Sequence, residues 1–384
     1  MSTPFENFPH SLWLFHDRTS DDDNLGSHLQ PPLKHYVKKY RTDFNFAGEK
    51  ILIALSGGVD SSIAAFLLKE AGADLHAVTF NFTDKEKNLD DAVIVADFLE
   101  IPHSMVDMRG RFENAIIRKF VEGYARGATP NPCIDCNVKM KWAGLVECAD
   151  GMGTERIATG HFAGERGGYV IRPKDSSKDQ SYFLYRVPRQ WIMRTVFPLE
   201  NLLKTEVKTI AGEIGLPDFK RGESNEVCFF DKGKLAEFLA DEGVEDSAGE
   251  IVDMDGAILG EHDGWRAFTV GQRRGLGVAS SEGRLYVVDV DPSRARIVLG
   301  PRDALMQNEM RVTSTIFHDD VETGAEASYG VQIRHLGEEI PANVVRRSES
   351  TADVRLERAI FAPARGQSAV FYDGKRVAGG GFIA

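Results

Sequence analysis

Ser56-Gly57-Gly58-Val59-Asp60-Ser61 follows directly on the apolar run Ile51-Leu52-Ile53-Ala54-Leu55. A short buried strand here ends at two glycines, and a helix opens at Ser61-Ser62 and runs through Ala64, Ala65, Phe66, Leu67 and Leu68. Such a junction aims backbone N–H groups and a positive helix end at one point, where an anion can sit. The glycines lack the Cβ atoms that would hold a phosphate away from the backbone. There is no Gly-Lys-Ser/Thr ending, so this is not a Walker loop. The other chemically able residues are thiols. Cys133 and Cys136 lie in Asn131-Pro132-Cys133-Ile134-Asp135-Cys136-Asn137, ahead of a helix, and Cys228 lies in Asn225-Glu226-Val227-Cys228-Phe229-Phe230. A helix N-terminus lowers the pKa of a nearby thiol and raises its reactivity. Cys-x-x-Cys has other uses. A structural zinc site wants four ligands, and the second pair is missing. A thioredoxin-like redox pair normally follows a different βαβ context. Cys148, among Leu145, Val146 and Ala149, reads as a small buried hydrophobe.

A loop and thiols of this kind need a scaffold. From Lys50 the chain alternates strand and helix: apolar runs at 75–80 and 103–106 read as strands, while 89–99 and 112–124 carry apolar residues three or four apart. A helix at about 138–148, a strand at 156–159 and helices at 188–194 and 204–214 follow. That alternation predicts an α/β fold with a doubly wound parallel sheet, whose ligands bind beyond the C-terminal strand ends. After about residue 232, Gly and Asp punctuate short alternating strands at 251–254, 257–259, 266–270, 285–290 and 296–299, as small barrels require. Residues 308–384 are also strand-rich and close with a hairpin, 368–375, on an Asp373-Gly374 turn. The expected division is an extension (1–48), an α/β catalytic domain (49–232), a central β domain (233–305) and a C-terminal β-barrel domain (306–384).

The 384 residues are 42% hydrophobic and 27% charged, values of a globular chain with two or three domains. No apolar stretch approaches a membrane span and the N-terminus has no secretory core, so no membrane partner is expected. Four cysteines are too few for a disulfide scaffold and point to a reducing, cytoplasmic setting. The net charge of −12 argues mildly against nucleic acid but leaves room for a focused basic groove. Residues 1–48 are rich in Pro, Ser, Asp and His and show no sustained period; Phe5, Phe8, Trp13 and Phe15 predict packing on the body.

Ser-Gly-Gly-x-Asp-Ser after a strand resembles the PP-loop, the signature of enzymes that split ATP between its α and β phosphates to adenylate a substrate. The likeness then becomes specific. SGGVDSS, TPNPCIDCN (129–137), ATGHF (158–162), KDQSYFLY (178–185), VCFF (227–230), GEHDG (260–264), GQRRGLG (271–277), YVV (286–288) and GQSAVFYDG (366–374) occur in the order found in the tRNA-specific 2-thiouridylase family, which the chain resembles over about 50–384. That family's fold, a PP-loop domain followed by two β domains, agrees with the organisation above.

The resemblance implies that Ala54, Leu55, Ser56, Gly57, Gly58, Val59, Asp60 and Ser61 hold ATP, with Phe80 and Gly160 on the nucleotide and Asp60 acting near the phosphates through Mg²⁺. Cys136 matches the nucleophile and Cys228 the persulfide carrier. Asn131, Pro132 and Cys133 fall where the target base is held; His161, Lys178, Asp179, Gln180, Arg334, His335 and Gln367 match tRNA-contacting positions. The implied reaction adenylates the 2-oxo group of a wobble uridine, after which sulfur attacks carbon 2 and AMP departs. The base must leave its stack, which is easiest in a single-stranded anticodon loop. Implied partners are the anticodon stem-loop of tRNA and a sulfur-donor or relay protein, with the free enzyme a monomer. Many members carry Asp where Cys133 stands. With that third thiol, Cys133, Cys136 and Cys228 together could ligate a 4Fe-4S cluster, which is favoured slightly over a persulfide relay. Rival readings are another PP-loop ligase or nucleobase thiolase, and a catalytically dead RNA-binding protein.

Overall fold

A computed structural model of the chain describes residues 13–14 and 45–384 other than 85–86, 218–226, 232 and 279–282. The extension therefore lies outside the described residues except at 13–14 and 45–48. The chain forms two units, Met1–Phe112 with Cys136–Gly222, and Glu113–Asp135 with Glu223–Ala384.

In the first unit the strands are Trp13–Leu14 (β1), Lys50–Ala54 (β2), Asp74–Asn81 (β3), His103–Asp107 (β4), Arg156–Thr159 (β5), a small hairpin of Gly164–Arg166 (β6) and Tyr169–Ile171 (β7), and Thr195–Val196 (β8). A sheet of order β1-β4-β3-β2-β5-β8 results, parallel throughout except for β1. Ile51, Leu52 and Ile53 are all buried, as a central strand covered on both faces requires. Helix Val59–Glu70 (α1) packs Ile63, Leu67 and Leu68 into the same core as Val95 and Ala96 of helix Lys87–Phe98 (α2) and Val207 and Ile210 of helix Lys204–Glu213. Since β2 has β3 on one side and β5 on the other, the strand order reverses there. The crevice beyond β2 and β5 is thus the place where a doubly wound sheet binds its ligand. The strands expected at 75–80, 103–106 and 156–159 and the helices expected at 89–99, 188–194 and 204–214 form within two residues of those bounds. The helices read at 112–124 and 138–148 form too, each with a wide π-helical segment, Glu113–Ile117 and Asn137–Trp142, of the kind that concentrates at functional sites.

In the second unit, strands Gly249–Val252 (β9), Ile258–His262 (β10), Tyr286–Asp291 (β11) and Arg296–Gly300 (β12) form a sheet of order β10-β9-β12-β11 around Ile251, Trp265, Val287, Ile297 and Leu299. The strand expected at 266–270 is absent. Trp265 is drawn into that core and its N–H donates to Asp246 Oδ1 (2.8 Å), while Arg266 pairs with the same carboxylate. A tight turn, Trp265–Ala267, replaces the alternation. Strands Met306–Phe317 (β13), Glu326–Gln332 (β14), Ile340–Arg346 (β15), Thr351–Phe361 (β16), Ser368–Asp373 (β17) and Arg376–Ile383 (β18) close an antiparallel six-stranded barrel, because β13 pairs with both β16 and β18. To serve two partners β13 bends where its register with β18 slips, at Ser314 in the left-handed region (φ +49°). Its partner approaches so closely that a Cβ at Gly379 would lie 2.1 Å from the Ile316 carbonyl oxygen.

The segment Glu113–Asp135 belongs with these β elements. Phe120 sits in an aromatic cluster with Phe229, Phe230 and Phe238 at centroid distances of 5.2, 5.7 and 6.2 Å. Gly127, at φ +75°, leaves room for the Val290 carbonyl and Pro292. The Thr129 N–H donates to Arg365 O (2.8 Å) and the Gln367 side-chain amide donates to Thr129 O (2.6 Å).

His103 on β4 contacts Thr79 Oγ1 at 2.7 Å, and burial together with neighbouring His76 lowers its pKa to about 4; burial lowers His76 as well. In the unfolded chain such an imidazole titrates near 6.5. The folded state thus takes up the proton later than the unfolded state as pH falls. Stability is full above pH 6.5 and should decline by up to about 1.4 kcal/mol per pH unit between pH 6.5 and 4 on account of His103, with His76 adding in the same direction. Denaturant melts of the α/β unit from pH 7.5 to 4.5 should show this decline, and His103→Gln should flatten it.

Candidate active site

The β2–α1 junction is built around serines. Ser61 Oγ accepts from the Ser56 N–H (3.1 Å), lies 3.1 Å from Ser56 Oγ and donates to Gly58 O (2.9 Å), and Ser62 Oγ donates to the same carbonyl (2.9 Å). Gly58 stands at the N-cap of α1 with extended geometry, and no side chain caps the helix. The first-turn N–H groups therefore have no side-chain acceptor, which is the arrangement an anion completes. Gly57, at φ +74°, lies against α2: a Cβ there would stand 2.7 Å from Asp91 Cβ and 2.8 Å from Ala92 N. Across the crevice Gly160 abuts the same junction, where a Cβ would come within 2.6 Å of Ser61 N and 2.8 Å of the Asp60 carbonyl carbon. Leu55 is a core side chain whose N–H donates to Val78 O (2.9 Å). Phe80, next to last on β3, sets its ring against Gly144, where a Cβ would meet it at 2.9 Å.

Asp60, half-buried, opens α1 with its carboxylate 2.5 Å from Lys204 Nζ. Lys204 is 7% exposed. Its ammonium sits 5.8 Å from the centre of the Phe162 ring, and its N–H donates to Asp175 Oδ2 (2.8 Å). Sequence reading missed this residue. The available signal was a cation in the first turn of a helix, opposed to the helix dipole and so in need of an acidic partner.

Asn131 Oδ1 accepts from the Cys133 N–H (3.1 Å), so Asn131 caps the short helix Pro132–Cys136 with proline in its first turn. Cys133 is half-buried, Cys136 is 8% exposed and Cys228 is exposed. Cys148 is buried, and burial with Glu147 alongside pushes its thiol up to about 12, which keeps it an inert hydrophobe. No disulfide joins the four cysteines. Among the described residues no three His, Cys, Asp or Glu side chains are gathered so as to hold a metal ion. The expected ligand set Cys133, Cys136 and Cys228 is not among such groups. Asn137, beside Cys136 and 2% exposed, donates to Phe183 O (3.2 Å) and so ties the thiol's helix to the 178–185 motif.

Several residues expected to meet RNA hold backbone instead. Asp179 is 5% exposed, with its carboxylate on Arg172 (2.6 Å) and the Ser181 N–H (2.8 Å). Gln180 Oε1 accepts from the Phe162 N–H (2.8 Å), which fixes the turn carrying Gly160 and His161. His161 lies 2.5 Å from Thr159 Oγ1 and packs on Trp142; burial and nearby Lys141 hold its imidazole well below the usual value, hence neutral at pH 7. Arg334 Nη2 donates to the carbonyls of Phe361 (3.0 Å) and Ala362 (2.6 Å), and Gln367 is engaged on Thr129. Lys178 is half-buried and His335 exposed. No helix among the described residues is long and apolar enough to cross a membrane.

The family model described as tRNA methyl transferase HUP domain matches residues 49–232, that of the tRNA methyl transferase PRC-barrel domain 236–301, and that of the Aminomethyltransferase beta-barrel domain 307–383. The tRNA-specific 2-thiouridylase MnmA of Geotalea uraniireducens is 39% identical over 358 residues, 87% of this chain and 95% of that protein. The proteins of the same name from Geobacter metallireducens and Chloroflexus aurantiacus are 37% identical over 360 residues (88% and 97%) and 38% over 352 (87% and 98%). With a strand–Gly-Gly–helix junction at the sheet's switch point and this likeness along nearly the whole chain, the protein belongs to the tRNA-specific 2-thiouridylase family.

Proposed function

We propose that this chain is a tRNA-uridine 2-sulfurtransferase, with residues 49–232 as its ATP-binding domain, 233–305 and 306–384 as β domains, and 1–48 as an extension. The observation that carries the reading is the uncapped α1 junction with the Asp60–Lys204 pair at its mouth. The junction suits a triphosphate, and Lys204 offers a cation where negative charge grows as pyrophosphate leaves. Although the matching family models are described as methyl transferases, such a loop has work in splitting ATP and none in moving a methyl group.

Ala54–Ser61, Phe80 and Gly160 hold ATP, and Asp60 would hold the Mg²⁺ that accompanies it. The 2-oxo group of a wobble uridine, seated by Asn131, Pro132 and Cys133, attacks the α-phosphate and releases pyrophosphate. A donor protein loads sulfur on Cys228 as a persulfide. Its terminal sulfur attacks carbon 2 and AMP departs, leaving a carbon–S–S–Cys228 linkage. The Cys136 thiolate attacks the Cys228 sulfur, 2-thiouridine leaves, and the resulting Cys136–Cys228 disulfide is reopened by a thiol reductant, which supplies two electrons. The relay is preferred to an iron–sulfur cluster because Cys133, Cys136 and Cys228 do not appear as a metal-holding group among the described residues. Lys178, His335 and the solvent-facing part of Arg334 serve tRNA. Buried Asp179 and His161, together with Gln180 and Gln367, position the loops. The setting is cytoplasmic, and the free enzyme a monomer.

Asp60→Asn and Lys204→Met should each lower tRNA-dependent pyrophosphate release by about 10²–10³-fold, the usual cost of one transition-state charge partner. Asp60→Asn leaves the buried Lys204 ammonium without its carboxylate and should melt lower, whereas Lys204→Met removes that ammonium, leaves a partly exposed carboxylate, and is the variant expected to melt near normally. Normal release by both variants would sink the ATP assignment.

Cys136→Ser and Cys228→Ser should abolish 2-thiouridine in nucleoside analysis of reacted tRNA, while Cys148→Ser should not. Iron-free protein given a persulfide donor should thiolate tRNA, and Cys133→Ala should still do so. Uptake of about four irons, the 4Fe-4S count, with both iron and activity lost in Cys133→Ala, would overturn the relay in favour of a cluster.

A further inference from the structure

The motif Gly271–Gly277 has no part in the chemistry above, yet it is built as a rigid display. Gly271, Gly275 and Gly277 sit at φ +88°, +74° and +71°. The Gln272 side chain spans the turn, accepting from the Thr269 N–H (3.0 Å) and donating to Arg274 O (3.0 Å). Backbone bonds from Gly271 N–H to Val287 O (2.8 Å) and from Val287 N–H to Gln272 O (2.9 Å) lock it to β11, and Leu276 inserts into the central core. Between these anchors Arg273 and Arg274 stand exposed.

Neither guanidinium meets a described carboxylate. Arg311 and Arg347 of the barrel pair with Asp353, Arg355 with Glu309, Arg358 with Glu338, and Arg376 with Asp319 and Asp373. The loop's neighbours repeat its pattern. A Cβ on Gly271 would touch Ala362 at 3.2 Å and the Phe361 ring at 3.4 Å. Arg334 donates to the carbonyls of those same two residues, and the Arg302 guanidinium lies 5.1 Å from the centre of the Phe361 ring. Arg302 and Arg334 thus lie on Phe361–Ala362, Gly271 of the turn carrying Arg273 and Arg274 abuts the same two residues, and none of the four arginines is paired with a described acid. In a chain of net charge −12 this is a local inversion of sign.

We propose that Arg273 and Arg274, with Arg302 and Arg334, form a phosphodiester-binding face that takes the backbone of the substrate tRNA; this rests on the tRNA reading above. Glycines and Gln272 fix the loop before binding, so little ordering is lost when two phosphates engage, and planar guanidinium groups suit phosphate oxygens bidentately.

The test is binding of an unmodified tRNA transcript to the full chain over a range of NaCl. In Arg273→Gln/Arg274→Gln the slope of log K against log [salt] should shrink by about 1.4–1.8, at about 0.7–0.9 for each of two phosphates no longer neutralised. Affinity at low salt should fall at least about tenfold, as freeing two phosphates implies. Arg273→Lys/Arg274→Lys should keep most of the slope. A melting profile of the Gln variant that matches wild type establishes that it is folded. Wild-type slope and affinity in that variant would overturn the proposal. A wild-type protein that binds tRNA with the expected slope but forms no 2-thiouridine would sink the functional reading and leave the Arg face standing.

Discussion

Two neighbouring parallel strands, β2 and β5, end at the same edge of the sheet, and the loops they carry must touch with no side chain between them. At Gly160 the backbone of one loop rests on the first turn of α1, 2.6 Å being all that a Cβ would have to Ser61 N. Gly57 answers the same demand on the other side, against Asp91 and Ala92 of α2. A side chain at either position would force backbone apart, since interiors this dense do not yield by small adjustments. The serine bonds of the junction, the placement of Asp60 and the turn that Gln180 holds for His161 all follow from that contact.

The charge arrangement follows from it too. With α1 and the helix opening at Lys204 packed on one core, a lysine in a first helical turn finds the Asp60 carboxylate and is otherwise shut from water. A buried ammonium persists only when paired. Breaking such a pair costs about 3–5 kcal/mol in general, so this pairing couples stability to the site. The Asp60 carboxylate at the mouth of the junction is therefore also one the fold needs.

Much of this was legible in the sequence because it is local. Ile51–Leu55, Ser56–Ser61 and the period of residues 204–214 encode strand, turn and helix within a dozen positions. Long-range partners were not legible. Asp179, Gln180 and Arg334 look like surface polar residues in the chain, and only the fold reveals the backbone groups they satisfy. Lys204 and Asp60 are far apart in sequence, and nothing in Lys204-Thr205-Glu206 names its partner. Residues 266–270 alternate like a strand, but burial of Trp265 and the Asp246 carboxylate outweigh local pattern. The barrel's closure likewise depends on where β13 bends, at Ser314, which no periodicity announces.

The excursion of Glu113–Asp135 has a consequence for inheritance. The strand-rich half is not a module added after the α/β half, since its aromatic cluster includes Phe120 and its last loop, Arg365–Gln367, is bonded to Thr129. A recombination event exchanging everything beyond residue 232 would bring in a β half fitted to another chain's 113–135 segment. The 113–135 segment and the barrel that braces it at Thr129 must therefore pass between lineages together, and a chimera that separates them loses that brace.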